Sequence, residues 1–566
     1  MTSPPFITNI SNRCVNKLQT GKFIKNAAVL TVTALVLRSI GMFFRIWLSS
    51  AIGAEGMGLY TLILSVYMLA STFATSGIST AVTRLIAEEL TCGTARSVKR
   101  IFARSVLLTL CVAAFSTALV FFLSDTIAAL WIKDARATLS LKILSFSLPF
   151  MGVSSCVRGY FIACRRVVVQ SSAQIFEQIV RIGLIMSIIG IFAPFGIGYA
   201  SAAVLIGDTV AEAASCLFLY IGYRSHSRKL ADVSGGRKAP PYSVVARLTS
   251  IALPITAGRY LTTTLRTAES LLVPSKLALH SGSYSDSLAA FGRLKGMALP
   301  ILFFPGSFLT ALSTLLVPEM SSAAASGDRE LIRSASRRTI GVTCELSAII
   351  AGIFLVFSNE IGVVAYGSVE VGVLIRCLAP LVPLMYLESV TDGILKGLGQ
   401  EKALFKHNLA DSAVRLILIY LVVERFGMLG FLTVMVVSNA LTASLCIGRL
   451  LIRAEMGFDL ISWAVRPIIC AALSSAAAFV FTEMVGLNGS VLRLVIGGVV
   501  AVGCYAAIMY YTGGFRELIS RTNHKHAAAH KAATHKAAVH KAAAHKAAVH
   551  KAAPAHLSSR RKSGLF

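Results

Sequence analysis

Apolar runs of membrane-spanning length recur along most of this chain, and they leave it one solvent in which to fold. Windows of about nineteen residues pick out about fourteen spans. They lie near 27–51, 58–82, 104–124, 139–162, 172–193, 197–221, 246–272, 294–317, 340–358, 371–393, 408–423, 427–450, 464–484 and 491–512. All but the shortest, 408–423, are long enough as written to cross the hydrocarbon core as a helix, which bonds every backbone group within its own segment. No connection exceeds about 25 residues, so a separate soluble catalytic domain has no room. The expected fold is an all-α polytopic membrane protein.

The loops support an even count. Basic residues collect on one side: Arg13, Lys17, Lys22 and Lys25; Arg96, Lys99 and Arg100; Arg158, Arg165 and Arg166; Arg224 to Lys238; Arg333, Arg337 and Arg338; Lys396, Lys402 and Lys406; Arg449 and Arg453. The alternate loops are short, neutral or acidic, which by the positive-inside rule puts both termini in the cytoplasm. The net charge of +28 therefore belongs mostly to loops and tail and does not call for nucleic acid. The 11 cysteines are scattered singly, with no ligand or disulfide spacing, so neither a metal site nor a cofactor is expected. Residues 1–25 carry no signal-peptide pattern, and the first helix is expected to remain as an anchor.

The longest connection divides the chain. It predicts a cytoplasmic segment 1–25, a six-helix lobe 26–222, a linker 223–246 containing SGGRKAPP, a second six-helix lobe 247–453 and a helical pair 454–515. Lobes joined in this way form a central cavity. Residues 516–566 repeat His-Lys-Ala-Ala with a five-residue period that matches no helix face, and are expected to be a disordered cytoplasmic tail able to meet anionic lipid.

The first helix carries Arg38 and Arg45 inside its span. An arginine near a helix centre costs roughly 2.5 to 3.5 kcal/mol, so two demand a partner, a polar cavity or an anionic ligand. Seven residues is about two turns and places both on one face, with Gly41 between them leaving room for a helix or ligand. The competing reading is that both snorkel to opposite interfaces.

Further charges recur inside the spans at helical spacing. Glu177 with Arg181 and Asp411 with Arg415 can neutralise one another, and Glu269 is placed to orient Arg266. Asp208 with Glu212 and Glu388 with Asp392 are like-charge pairs, candidates for carrying a proton or sodium ion, or else helix-end groups in water. Arg38, Arg45, Arg259, Arg266 and Arg293 give the membrane domain unpaired positive charge, suited to a phosphate or pyrophosphate headgroup and repellent to a cationic drug.

These residues fall in familiar order. LRSIGMFFRIWLSSAIGAEGMGLY, STAVTRLIAEEL, LPITAGRYLTTTLRTAESLLVPSKL, AFGRLKGMALPILFFPGSFLTALSTLLVPEMS and ILKGLGQ resemble the stage V sporulation protein B and polysaccharide-biosynthesis branch of the MOP flippase superfamily, which also holds the lipid II flippase MurJ and the MATE exporters. The likeness covers about residues 22 to 515. It implies fourteen helices, two lobes about a cavity, a final helical pair forming a groove for a polyprenyl chain, and alternating access. Arg38 and Gly41 match an R-xx-G pattern of MurJ-like first helices, and Arg293 in AFGRLKGMALP matches a basic residue before the eighth helix. Where an acidic residue often precedes it, this chain has Gly292. A second-helix arginine has no counterpart near Ser71, and Arg84 sits instead at the cytoplasmic end.

The resulting expectation is a flippase in the bacterial cytoplasmic membrane, not an enzyme, moving an undecaprenyl-pyrophosphate-linked saccharide. Arg38, Arg45, Arg266, Glu269 and Arg293 would bind it. The partners are that lipid-linked saccharide, membrane lipids and, as a further candidate, cell-wall synthesis proteins. A MATE-type cation antiporter would instead show a net acidic cavity. A membrane glycosyltransferase or ligase would need acidic or histidine residues on a large outer loop.

Overall fold

The computed structural model describes residues 8–75, 77–92, 95–228, 244–486 and 489–512, with side-chain surroundings from residue 29 onward except at 91 and 92. The expected tail and most of the linker lie outside the described residues. Within them the chain is helical, without strands. The first half holds α1 (Thr8–Thr75), α2 (Ile78–Cys92), α3 (Ala95–Thr126), α4 (Ala137–Ser145), α5 (Ser147–Ala163), α6 (Val167–Phe192) and α7 (Ile197–Arg228). There follow α8 (Val244–Ser281), α9 (Tyr284–Phe291), α10 (Leu299–Ser326), α11 (Arg329–Val356), α12 (Ser358–Tyr366), α13 (Val369–Leu378), α14 (Val382–Gly397), α15 (Glu401–Leu418) and α16 (Glu424–Ala454). The last described helices are α17 (Arg466–Met484) and α18 (Ser490–Tyr511).

Among the described residues, 11 helical stretches are long and apolar enough to cross a membrane. The difference from fourteen windows has a physical origin. Val29–Leu90 runs for 62 residues and Glu401–Ala454 for 54, and each holds two windows. The first is broken at Gly53 and the second at Gly427, where positive φ takes the backbone out of the helix. The remaining window falls on α8, which is helical but carries Arg259, Arg266 and Glu269 and so fails the apolar criterion. All fourteen windows thus lie on helix.

Packing separates into groups. α5 packs on α3, α6 and α7, and α14 packs on α10, α11 and α16, while α17 and α18 pair and lean on α11. Two elements span the groups. α1 touches α8, α9 and α10 as well as α3, α6 and α7. α8 places Leu248 and Ala252 in the hydrophobic cluster around Val82, Phe102 and Tyr160, and Val273 and Leu277 in the larger cluster around α1, α10 and α14. Between α9 and α10 the helix widens into a π-turn, Gly292–Ala298, a form that re-aims side chains at functional sites.

This π-turn explains one departure from the family pattern. A Cβ at Gly292 would lie 2.0 Å from the Ala54 carbonyl oxygen, and one at Gly58 would lie 2.2 Å from that of Leu288. Backbone meets backbone here. No acidic side chain fits where Gly292 stands.

Candidate functional site

The first helix supplies one wall of a cavity of about 520 Å³. Arg38, Gly41 and Arg45 line it from α1, opposite Phe303, Phe304, Ser307 and Thr310 of α10 and Met385, Tyr386 and Ser389 of α14. The seven-residue spacing does bring both guanidinium groups to one hollow. A hydrogen bond of 2.9 Å joins the Thr310 and Ser389 hydroxyls, and Tyr386 donates to the Leu302 carbonyl at 2.6 Å, which fixes the far wall. Nothing lies within 4 Å of a Cβ built on Gly41, so its missing side chain opens the cavity and admits no neighbouring helix. Neither Arg38 nor Arg45 makes an ion pair or side-chain hydrogen bond among the described residues. The cavity keeps two uncompensated cations.

Arg259 and Arg266 are likewise exposed on α8 and without ion pairs among the described residues. Arg266 does not engage Glu269, as its spacing led one to expect. Glu269 is buried at 6% exposure on the other side of the helix, where Lys295 of the π-turn reaches it at 3.0 Å and Arg415 of α15 at 3.2 Å. Arg415 continues the network to Asp411 at 3.0 Å and to the Ser438 hydroxyl at 2.6 Å, and Ser438 donates to Asp411. A carboxylate that must be buried takes the cations on its own side. Local spacing missed Lys295, although a lysine two residues from Arg293 in an apolar run was the available signal.

Arg293 is not unpaired. Its Nε lies 2.9 Å from Glu370, an exposed carboxylate at the start of α13, and it does not line the cavity.

A second network fills the first half. Glu177 holds both Arg158, at 3.0 Å, and Arg181, at 2.7 Å, so Arg158 belongs inside α5 rather than among the loop charges. Arg181 also meets Asp208 at 2.8 Å, and Tyr60 donates to Asp208 at 3.4 Å. Asp208 and Glu212 therefore do not form an isolated like-charge pair, because Asp208 is neutralised. Glu212 is buried, and its Oε1 has no hydrogen-bond partner among the described residues. In the other half Asp392 turns to Lys396, at 2.5 Å, and leaves Glu388 without an ion pair among the described residues. One member of each like-charge pair thus lacks an ion pair among the described residues. No group of His, Cys, Asp and Glu able to hold a metal ion occurs among the described residues.

Apolar helices folded around a cavity with bare guanidinium groups on its wall make this a multi-pass membrane protein with a cationic hollow. Residues 23–323, more than half of the chain, match the polysaccharide biosynthesis protein family, and the chain belongs to it. It is 28% identical over 483 residues to stage V sporulation protein B of Bacillus subtilis (strain 168), covering 82% of this chain and 92% of that protein. To the lipid II flippase MurJ of the same strain it is 23% identical over 533 residues, covering 87% and 95%. Among solved structures, lipid II flippase MurJ in an inward closed conformation is similar with a TM-score of 0.62 at 14% identity, over 86% of this chain and 99% of that one. An inward-facing MATE multidrug-resistance transporter of the MOP superfamily is similar with a TM-score of 0.57 at 14% identity, over 75% and 98%. The fold is that of the MOP superfamily.

Proposed function

We propose that this protein is a flippase that carries an undecaprenyl-pyrophosphate-linked saccharide, a peptidoglycan precursor or related polysaccharide unit, across the bacterial cytoplasmic membrane. The observation that carries the reading is the pair Arg38 and Arg45, both on the cavity wall and both without a carboxylate partner among the described residues. Two bare cations facing one hollow suit a pyrophosphate, which offers each guanidinium a bidentate partner. A cationic drug would meet repulsion there.

In this reading Arg38 and Arg45 hold the pyrophosphate, and Arg266 draws the headgroup along α8. Glu269 acts indirectly, by holding Lys295 and Arg415. Arg293, engaged by Glu370, meets the saccharide only if that exposed pair parts. The lobes 26–222 and 247–453 rock about the cavity and expose it to each leaflet in turn, with the cytoplasmic ends of the chain staying inside. The helices of 454–515 flank the polyprenyl tail. Glu212 and Glu388, each lacking a cation, are the groups best placed to couple this motion to a proton or ion, more so than the neutralised Asp208 and Asp392. The likeness to stage V sporulation protein B and MurJ supports the substrate class.

The test is leaflet exchange of a fluorescent lipid II analogue in reconstituted vesicles, with wild type beside Arg38→Ala/Arg45→Ala, and export of a cationic dye run in parallel. Exchange by wild type and its loss in the double variant is the expected result. Ion-driven dye export without lipid exchange would overturn the reading.

A further inference from the structure

The motif ILKGLGQ ends in a residue that the cavity does not use. Gln400, between α14 and α15, turns its side-chain oxygen to the last turns of α16. Arg449 donates to that oxygen through Nε at 3.2 Å and Nη2 at 2.7 Å, and Arg453 donates through Nε at 3.2 Å. Three N–H groups from two cations converge on one neutral amide oxygen, which has two lone pairs. The amide is held in turn by its own donation to the Leu398 carbonyl at 3.4 Å.

Electrostatics leaves this arrangement incomplete. Arg449 and Arg453 are one turn apart on the same helix, a spacing at which like charges repel. The helix C-terminus favours a cation, which accounts for one of them. Neither makes an ion pair among the described residues, and the acid that follows them, Glu455, is taken by Arg329 at 2.5 Å. Each guanidinium carries five N–H donors, so most of them remain free for an acceptor that brings negative charge.

The surroundings say where that acceptor comes from. Ile452, between the two arginines, is 71% exposed, and Phe405, little more than one turn after Gln400 in α15, is exposed as well. Apolar side chains left bare at the end of a membrane helix face acyl chains. A charge-assisted acceptor beside them is a lipid headgroup. We propose that Gln400, Arg449 and Arg453 form a binding site for the phosphate of an anionic phospholipid, at the end of the molecule away from Gly427, with Gln400 holding the two guanidinium groups ready for one phosphodiester.

The experiment uses the full chain in nanodiscs, with native mass spectrometry and thermal unfolding as readouts, comparing phosphatidylglycerol, phosphatidylcholine and inorganic phosphate. Wild type should retain phosphatidylglycerol over phosphatidylcholine by roughly tenfold or more, the scale expected of two surface cations. Arg449→Gln/Arg453→Gln should abolish that preference. Gln400→Glu supplies the missing carboxylate internally, so it should also abolish the preference while unfolding no earlier than wild type in phosphatidylcholine. That variant decides the matter if the double variant does not fold. A preference that survives in Gln400→Glu overturns the proposal. Equal protection of wild type by millimolar inorganic phosphate would overturn the assignment to lipid.

Discussion

Arginines lie within the membrane domain in two settings, and the contrast separates structure from transport. Inside each half, Arg158, Arg181 and Arg415 are part of networks in which every guanidinium meets at least one carboxylate. On the cavity wall Arg38 and Arg45 meet none among the described residues. Burial of a charge within low dielectric is tolerated only with a partner, so the first set is fixed by the fold. The second set is available to something that enters and leaves. The lesson is that the count of intramembrane arginines says little, and their partners say which of them can serve a ligand.

The comparison breaks most visibly at Arg415. Replacing it with alanine leaves Asp411 without a cation and Glu269 with Lys295 alone, and loss of one partner of a buried pair costs about 3 to 5 kcal/mol. Arg415→Ala should give little folded protein by size-exclusion chromatography and a markedly lower Tm. Gly292→Ala comes next, since its methyl group would strike the Ala54 carbonyl. We expect a loss of about 1 to 3 kcal/mol, the usual cost of overpacking, seen in thermal unfolding. Arg38→Ala lies on the other side of the comparison: unfolding free energy should match wild type to within about 0.5 kcal/mol, as for substitutions that break no internal partner, while lipid exchange in vesicles is lost. A well-folded Arg38→Ala protein that flips normally would remove Arg38 from the site. The smallest effect belongs to Glu370→Gln, which frees Arg293 from an exposed pair worth at most about 1 kcal/mol. Its unfolding curve should be nearly that of wild type.

Much of this was readable from sequence wherever the signal was local. Apolar length placed its fourteen windows on helix, though it passed over the short α9 and α12, and the seven-residue interval of Arg38 and Arg45 placed them on one face. The four-residue intervals of Glu177 with Arg181 and Asp411 with Arg415 gave true pairs. The three-residue interval of Arg266 and Glu269 did not, because the pair straddles the boundary between an exposed and a buried face of α8. Glu269 finds Lys295 and Arg415 across the bundle, and no spacing rule carries that information. Gly292 is similar: only the approach of Ala54 shows why a side chain is excluded there.

The composition of α8 has a consequence for how the molecule is built. This helix is too charged to partition into lipid by itself, and one of the two cations that neutralise its Glu269 is 146 residues further along the chain. During synthesis Lys295 emerges soon after Glu269, but Arg415 emerges only when most of the second half has been made. Order of manufacture and order of stability therefore differ, and α8 must wait beside its neighbours for its counter-charge. Chains cut short before residue 415 should leave α8 open to membrane-impermeant thiol labelling at an introduced cysteine, and chains extended past α16 should protect it.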